Sequence, residues 1–237
     1  DRYTNETAEI FTTETSDRAF EEEVMLSGFG SAATKAEGAS VTFDDAKEAF
    51  TARYTHQTVA LAFAITEEAI EDNLYDRLGN RYARALARSM ANTKQVKGAE
   101  ILNNAFSSSQ LGGDGVVLCS TAHPTVSGTN LSNTFTTQAD LSETSLESAL
   151  INIAAFIDER GLRISIQGTK LILPKELQFT AERILKSPLR VGTADNDINA
   201  IANMNMIPEG YRVNHYLNDT NAWFIKTDTP NGFKHFV

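Results

Sequence analysis

The chain has 237 residues, a formal net charge of −10 at pH 7 and a single cysteine. This acidic balance disfavours a dedicated duplex-binding protein, because such proteins neutralise phosphates with a basic face. One cysteine excludes an intrachain disulfide framework, and the sequence contains no run of about 18 apolar residues, the length that a membrane-spanning helix needs.

Residues 1–20 are rich in threonine and glutamate and contain few apolar side chains. A segment of this composition buries little surface of its own. We therefore predict an arm that a neighbouring molecule orders, with a frayed terminus as the alternative.

The next segment alternates between glycine-rich and strand-like sequence. Glycines punctuate residues 28–38, Val41 and Phe43 flank a threonine, and residues 58–65 place apolar side chains on one face at a spacing of two. Such spacing is typical of strands, and the glycines mark turns. We predict a long hairpin with too little apolar sequence in residues 27–50 to bury itself. It either lies on another subunit or forms a flexible surface loop.

A long helix is predicted over residues 66–104. Thr66 is a suitable N-cap and is followed by three glutamates within the first turns, where the helix dipole favours negative charge. Apolar side chains then recur at a spacing of four and form one stripe: Ile70, Leu74, Leu78, Tyr82, Leu86 and Met90. A continuous helix of this length would span roughly 58 Å. Gly79 and Gly98 are candidate bends.

Arginines at a spacing of three or four form a flank beside this stripe: Arg77, Arg81, Arg84 and Arg88. One interpretation is a solvated face with ion pairs inside the helix. The other is a set of salt bridges to an acidic neighbouring subunit.

The middle of the chain is dominated by a loop over residues 107–141, with a short strand expected at Val116–Cys119. A second helix is predicted from Ser142 to Gly161, where a glycine suits the C-terminal cap. Residues 171–173 form a predicted buried strand that ends at Pro174.

A third helix is predicted to end before Pro188, and residues 187–199 form a polar loop. Residues 211–217 and 222–227 flank an Asn-Asp-Thr-Asn sequence and are predicted to form a hairpin. Helices and strands mixed in this way indicate an α+β fold.

Residues with reactive side chains do not form a recognisable active site. Cys119 and His123 are four residues apart with no third group to orient the imidazole, which disfavours a thiol hydrolase. The four histidines lack zinc-ligand spacing. Asp195 and Asp197 mimic part of a calcium loop, but the required glycine and terminal glutamate are missing, so an ordinary Asx-rich turn is favoured. Residues 112–115 lack the lysine and hydroxyl residue of a phosphate-binding loop.

Several segments carry a family resemblance. TKLILPKELQFTAERILKSPLRVGTADNDINAI (169–201) resembles the major head, or capsid, subunits of tailed bacteriophages, in particular the Mu-type branch of the Hong Kong 97 capsid fold. Residues 35–66, 118–133 (LCSTAHPTVSGTNLSN) and 196–228 resemble the same family in the expected order. Together these segments cover most of the chain, and their ordered combination is specific although each alone is not.

The resemblance implies a structural protein and not an enzyme, with no cofactor and no catalytic or metal site. Its copies are expected to form pentamers and hexamers of an icosahedral head that encloses double-stranded DNA without sequence-specific binding. Expected partners are a portal and decoration or scaffold proteins, with no membrane. The expected location is the virion capsid, assembled in the host bacterial cytoplasm. An encapsulin-like nanocompartment shell is the alternative.

The resemblance also implies a division of the chain and a set of contacts. The predicted parts are an N-terminal arm (1–26), an extended loop (27–58), a peripheral domain with a spine helix (59–134), an axial domain (135–210) and return strands (211–237). Relatives continue beyond the final strand, so we expect the last part to be incomplete. The residues predicted to contact other subunits are Phe29, Lys35, Val41, Phe43, Phe50, Arg77, Arg81, Arg84, Arg190, Asp195 and Asp197.

Overall fold

The computed structural model describes residues 4–71, 78–190, 197–230 and 232–237. The helices in this part of the chain are α1 (Glu67–Glu71), α2 (Leu78–Asn103), α3 (Glu143–Ala154), α4 (Gln178–Lys186) and α5 (Ala200–Asn203). The strands are β1 (Thr12–Glu14), β2 (Phe20–Leu26), β3 (Glu48–Thr55), β4 (His123–Pro124), β5 (Asn130–Leu131), β6 (Gly168–Leu173), β7 (Tyr211–Val213), β8 (Phe224–Thr227) and β9 (Lys234–Phe236). This mixture confirms the predicted α+β class.

A three-stranded sheet in the order β7-β6-β8 forms the centre of the molecule. The middle strand β6 runs parallel to β7 and antiparallel to β8. The predicted hairpin between residues 211–217 and 222–227 is therefore wrong, because its two strands lie on opposite edges of β6. The sheet also joins strands from both sides of residue 210, and the predicted domain boundary there stays a prediction.

The strand β6 buries both of its faces. Leu171 and Leu173 are fully buried in a core with α3, α4 and α5, whereas Ile172 points into a second core on the other face. Successive side chains of a strand point to opposite faces, so a continuous apolar run suits a strand that is covered twice.

The second face is covered by the start of the chain. We call residues 4–14 the anchor segment. Ile10 is 1% exposed and Phe11 is 9% exposed, and both belong to one buried cluster with Leu102 and Ile172. The expectation that residues 1–20 carry little core of their own is thus wrong for this segment, because two adjacent apolar side chains complete the sheet.

Helix α2 is shaped to receive the anchor segment. The side-chain Oε1 of Gln95 accepts hydrogen bonds from the backbone N–H groups of Glu6 (2.9 Å) and Thr7 (3.0 Å). A Cβ at Gly98 would overlap the Thr7 methyl group. Gly98 is therefore a site of close approach and not the predicted bend, since α2 continues through it.

Ion pairs seal the same contact. The Glu9 carboxylate accepts hydrogen bonds from Lys170 Nζ (2.8 Å) and Arg212 Nε (3.3 Å). Lys170 Nζ also forms an ion pair with the Glu209 carboxylate at 2.8 Å. The hydrogen bond from Lys170 holds the pKa of Glu9 below its usual value. Burial opposes the charged form of Lys170, but the two carboxylates raise its pKa on balance. Strand β1 pairs with β9 in parallel and ties the anchor segment to the end of the chain.

A separate antiparallel hairpin consists of β2 and β3, with register partners from Phe20–Thr55 to Leu26–Glu48. The structure confirms a hairpin in this region but moves its strands, since residues 41–43 and 58–65 are not strands. The second of these segments runs along α2 instead. Phe63 lies 6.0 Å from Tyr82 between ring centroids, and Gln57 accepts from Lys97.

Three further expectations are corrected locally. Helix α3 begins at the capping box of Ser142 as predicted but ends at Ala154. Gly161 lies beyond it in a tight turn with φ of +82°, a conformation that favours glycine. Val116–Cys119 contains only an isolated bridge to Leu111. The predicted helix 66–104 is observed as α1 and α2, and residues 72–77, with Leu74 and Arg77, lie outside the described residues.

Candidate assembly surfaces

The chain exposes far more surface than a compact protein of its mass. Its accessible surface is 16430 Å² at 25.9 kDa. The scaling of surface with mass gives about 10,500 Å² for a compact monomer, so the excess is about 1.5-fold. Much apolar surface that folding normally removes from water is thus left uncovered.

Strongly exposed apolar side chains lie in the connection between β2 and β3. We call residues 28–46 the tip loop. Phe29 is 59% exposed, Val41 is 65% exposed and Phe43 is 93% exposed, and Lys35 is also exposed. Phe50, on strand β3, is half-buried. Most of the predicted contact residues here are therefore accessible to another molecule.

The hairpin strands are attached to the body near their base. Lys234 of β9 binds Glu23 of β2, and the rings of Tyr54 and Phe236 lie 6.0 Å apart. A Cβ at Gly113 would lie 3.0 Å from Ala52, so the loop 107–115 passes directly against β3. The base is thus fixed while the tip loop projects.

One ion pair holds the tip loop to the body. Arg160 Nη2 donates to both carboxylate oxygens of Asp44 at 2.7 Å. The backbone N–H of Gly30 donates to the same carboxylate at 2.7 Å. These interactions, the Gly30 hydrogen bond first, hold the pKa of Asp44 below its usual value.

The first half of α2 is a second exposed surface. No side chain from residue 79 to 94 is buried, and burial begins at Gln95. Arg81 and Arg84 are exposed, as is Tyr82 at 48%, beside half-buried apolar positions at 86 and 90.

The sequence of α2 excludes the ion pairs within the helix that one interpretation of its arginine flank includes. No acidic residue occurs from residue 78 to 99, so Arg81 and Arg84 have no carboxylate three or four positions away within the described helix. Neither forms an ion pair with any described residue. The pairing within α2 that would explain these two residues is absent, which leaves them available to another molecule.

The polar loop after α4 is a third surface. Arg190 Nε contacts Glu143 Oε2 at 3.1 Å, and its backbone N–H donates to the carbonyl of Asp197 at 2.9 Å. Asp197 is exposed, whereas Asp195 lies outside the described residues. Asn199 is buried, donates to the carbonyls of residues 184 and 187, and caps α5. Asn199 therefore has a packing role, and the predicted Asx-rich turn stays a prediction because Asp195 and residue 196 lie outside the described residues.

The cysteine and histidine of the middle loop do not form a reactive pair. Burial raises the pKa of Cys119 to about 11. His123 Nδ1 contacts Asp114 Oδ2 at 2.6 Å, and its buried Nε2 has no hydrogen-bond partner in the described residues. The imidazole is oriented by a carboxylate, but it does not reach the thiol that it would have to activate.

In residues 4–71, 78–190, 197–230 and 232–237, no three His, Cys, Asp or Glu side chains are grouped so as to hold a metal ion. None of the helices in that part of the chain combines the length and the apolar content that a membrane crossing requires.

The sequence did not reveal the residues that position these surfaces. Arg160 and Asp44 are 116 positions apart, and neither lies in a recognisable motif. Gly98 was visible as a helix glycine, a position where glycine is costly, which is the one signal that pointed to a special contact.

Comparisons with known proteins agree with this description. The sequence profile of a family described as phage capsid protein matches residues 47–237. A solved structure of the bacteriophage JBD30 capsid has a TM-score of 0.68 at 13% identity, covering 92% of each chain. The structure of the JBD30 capsid decorated with minor capsid protein trimers has a TM-score of 0.66 at 13% identity, and the match covers 92% of each chain.

The procapsid of the same phage gives a TM-score of 0.56 at 14% identity, covering 89% of this chain and 91% of that one. No curated protein sequence matches. The structural likenesses show the fold of phage capsid subunits and confirm the predicted fold. The Mu-type branch stays a prediction.

Proposed function

Because the chain belongs to the phage capsid protein family, we propose that its copies assemble into pentamers and hexamers of an icosahedral head with the Hong Kong 97 architecture. The chain is a structural capsid protein, and we assign it no enzymatic step. The proposed shell encloses double-stranded DNA without reading its sequence, which suits a chain of net charge −10.

The observation that carries this proposal is the excess of exposed surface. A chain with 16430 Å² of accessible surface gains by burying part of it against copies of itself. Shell assembly does this with repeated head-to-tail contacts, in which different patches of neighbouring copies meet.

The three exposed surfaces have distinct proposed roles. The tip loop, with Phe29, Val41 and Phe43 in the open, lies on a neighbouring subunit. The arginine flank of α2, with Arg81 and Arg84, contacts an acidic surface of a neighbour. The loop 187–199 faces the centre of a pentamer or hexamer. Each surface offers side chains that the described body leaves uncovered.

The division into domains follows the sheet more closely than the boundaries expected from the resemblance. We propose an axial unit built on the β7-β6-β8 sheet with α3, α4 and α5. The peripheral unit contains α2 and the β2–β3 hairpin. The anchor segment joins the two, because it contacts both α2 and β6.

Proposed partners extend beyond copies of the chain. The likeness to a decorated capsid supports binding of a minor capsid protein on the outer surface, and a portal and a scaffold protein complete the proposed assembly. The proposed location is the virion, after assembly in the cytoplasm of the bacterial host.

Assembly of the purified protein tests the proposal. We expect sedimentation velocity to show species larger than a monomer whose share rises with protein concentration, and electron microscopy to show rings or shells. A single compact monomer at every concentration, with no rings or shells, would contradict it. Particles recovered from cells with a cargo protein inside, and without DNA, would support the encapsulin-like alternative.

A further inference from the structure

The tip loop needs a fixed position if it is to meet a neighbouring subunit. A long exposed loop that samples many conformations loses that freedom on binding, which weakens and slows the contact. The tip loop has few contacts of its own, and its turn at residues 36–39 is held by one backbone hydrogen bond. Something outside the loop must set its direction.

The carboxylate of Asp44 gathers both limbs of the loop at one point. On the outgoing limb, Gly30 donates its N–H to Asp44 Oδ2 at 2.7 Å. Asp44 itself lies on the returning limb, and both of its carboxylate oxygens accept hydrogen bonds from Arg160. A Cβ at Gly30 would lie 3.3 Å from Asp44 Oδ2 and 3.4 Å from Arg160 Nη2. A larger residue at position 30 would therefore crowd the contact between Asp44 and Arg160.

Arg160 stands on a braced turn. Asp158 Oδ1 accepts from the backbone N–H groups of Arg160 (2.9 Å) and Leu162 (2.7 Å), and the Asp158 carbonyl accepts from Gly161 (3.0 Å). The hydroxyl of Ser127 donates to the carbonyl of Glu159 at 3.2 Å. The arginine is therefore presented from a rigid site, and its side chain is only 22% exposed.

We propose that Arg160 is a positioning residue for assembly: its ion pair with Asp44 fixes the tip loop in the pose that reaches a neighbouring subunit. The positioning acts within one chain, so it exists before any shell forms. The consequence of this ion pair for assembly rests on the proposed function, whereas its effect on the conformation of the tip loop does not.

Hydrogen–deuterium exchange on the unassembled subunit tests the effect on the loop. In Arg160→Gln we expect the hydrogen-bonded amides of the loop, those of Gly30, Ala39 and Asp45, to exchange about two- to fivefold faster, the range of an exposed ion pair. Peptides that contain β6 keep their protection. Arg163→Gln is the matched control, because Arg163 is exposed, lies three positions away and forms no ion pair with a described residue. Equal exchange of the loop in both variants would overturn the proposal.

Two more variants separate positioning from a general loss of charge. Asp44→Asn is expected to reproduce the faster exchange, with Asp45→Asn as its control, since Asp45 forms no ion pair with a described residue. The charge swap Asp44→Arg with Arg160→Asp is expected to slow exchange relative to Asp44→Arg alone, but not to the wild-type rate, because an arginine at position 44 cannot accept the hydrogen bond from Gly30 N–H. Salt near 1 M is expected to speed exchange in the wild type more than in Arg160→Gln, because salt screens exposed charges. Exchange in the double variant that is no slower than in Asp44→Arg alone would count against the ion pair.

Assembly rates complete the test. We expect light scattering to show Arg160→Gln assembling several-fold more slowly than Arg163→Gln at equal concentration. If the wild type forms no shell, the proposed function fails while the exchange result still decides the loop contact. If the wild type assembles and both variants assemble at its rate, the role of Arg160 in assembly is wrong.

Discussion

The anchor segment and the tip loop are close in sequence, but the anchor segment buries its apolar side chains and the tip loop exposes them. Ile10 and Phe11 are buried against Leu102 and Ile172. Phe43 is 93% exposed and contacts little of its own chain. The anchor segment therefore contributes to the folding stability of the subunit, whereas the tip loop is available for contacts between subunits. Substitutions should separate these two roles, and the expected losses of folding stability run from several kcal/mol to none.

The largest loss of stability is expected in the anchor segment. Ile10→Ala removes a fully buried side chain and leaves a cavity between α2 and β6, which costs about 2–4 kcal/mol. Urea unfolding of the unassembled subunit measures it. Val41→Ala in the tip loop is the matched control and should change the free energy of unfolding by no more than about 0.5 kcal/mol. Similar losses for both variants would remove the distinction between the two regions.

The close approach of α2 to the anchor segment gives the next effect. Gly98→Ala places a methyl group where the Thr7 methyl lies, and we expect a loss of about 1–3 kcal/mol despite the better helix propensity of alanine. Gly79→Ala, on the same helix with nothing within 4 Å, should instead gain up to about 1 kcal/mol. Thr7→Ser removes the offending methyl and should recover part of the loss in the double variant. A gain from Gly98→Ala alone would show that α2 and the anchor segment are less close than described.

The ion pairs of the anchor segment give a smaller, pH-dependent effect. The pKa of Glu9 is lowered from 4.5 in the folded state, so the unfolded chain binds more protons between the two values. Its stabilisation is present above pH 4.5 and is lost as the pH falls through the folded pKa. Glu9→Gln should lower stability at neutral pH by less than about 1 kcal/mol, because Glu9 is partly exposed.

The acid limb of the stability curve checks this assignment. Wild type and Glu9→Gln should converge as the pH falls below the folded pKa of Glu9. A constant difference down to the lowest pH would assign the effect to packing and not to charge. Glu14→Gln, in the same part of the chain, is the control because the Glu14 carboxylate lies 3.8 Å from Lys234 and makes a much looser ion pair than Glu9.

Several parts of the fold follow from local sequence. The run at 171–173 is apolar at every position and ends at Pro174, so its burial on both faces was predictable. Pro188 ended α4, and Ser142 began α3. In each case the deciding groups lie within a few residues of one another.

Other parts depend on contacts between distant residues. Strands β7 and β8 have the composition of a hairpin, but they do not pair with each other. Each pairs instead with a different edge of β6. The anchor segment has only two buried apolar side chains, and their burial depends on the space that Gly98 leaves 87 to 91 positions later in the chain. Of the candidate surfaces, exposure of the tip loop was predictable from its poor apolar content, whereas the Asp44–Arg160 contact was not.

The smallest effect on stability is expected together with a large effect on assembly. Phe43→Ser replaces a side chain that is 93% exposed, so the free energy of unfolding should change by no more than about 0.5 kcal/mol. Shell formation should fall sharply, because a large aromatic side chain at the centre of an interface contributes about 2 kcal/mol or more to binding. Thr42→Ser, a neighbouring exposed position, keeps the polarity of the loop and serves as the control. Normal assembly of Phe43→Ser, with Ile10→Ala unstable as expected, would show that the subunit is completed through the arginine flank of α2 or the loop 187–199 and not through the tip loop.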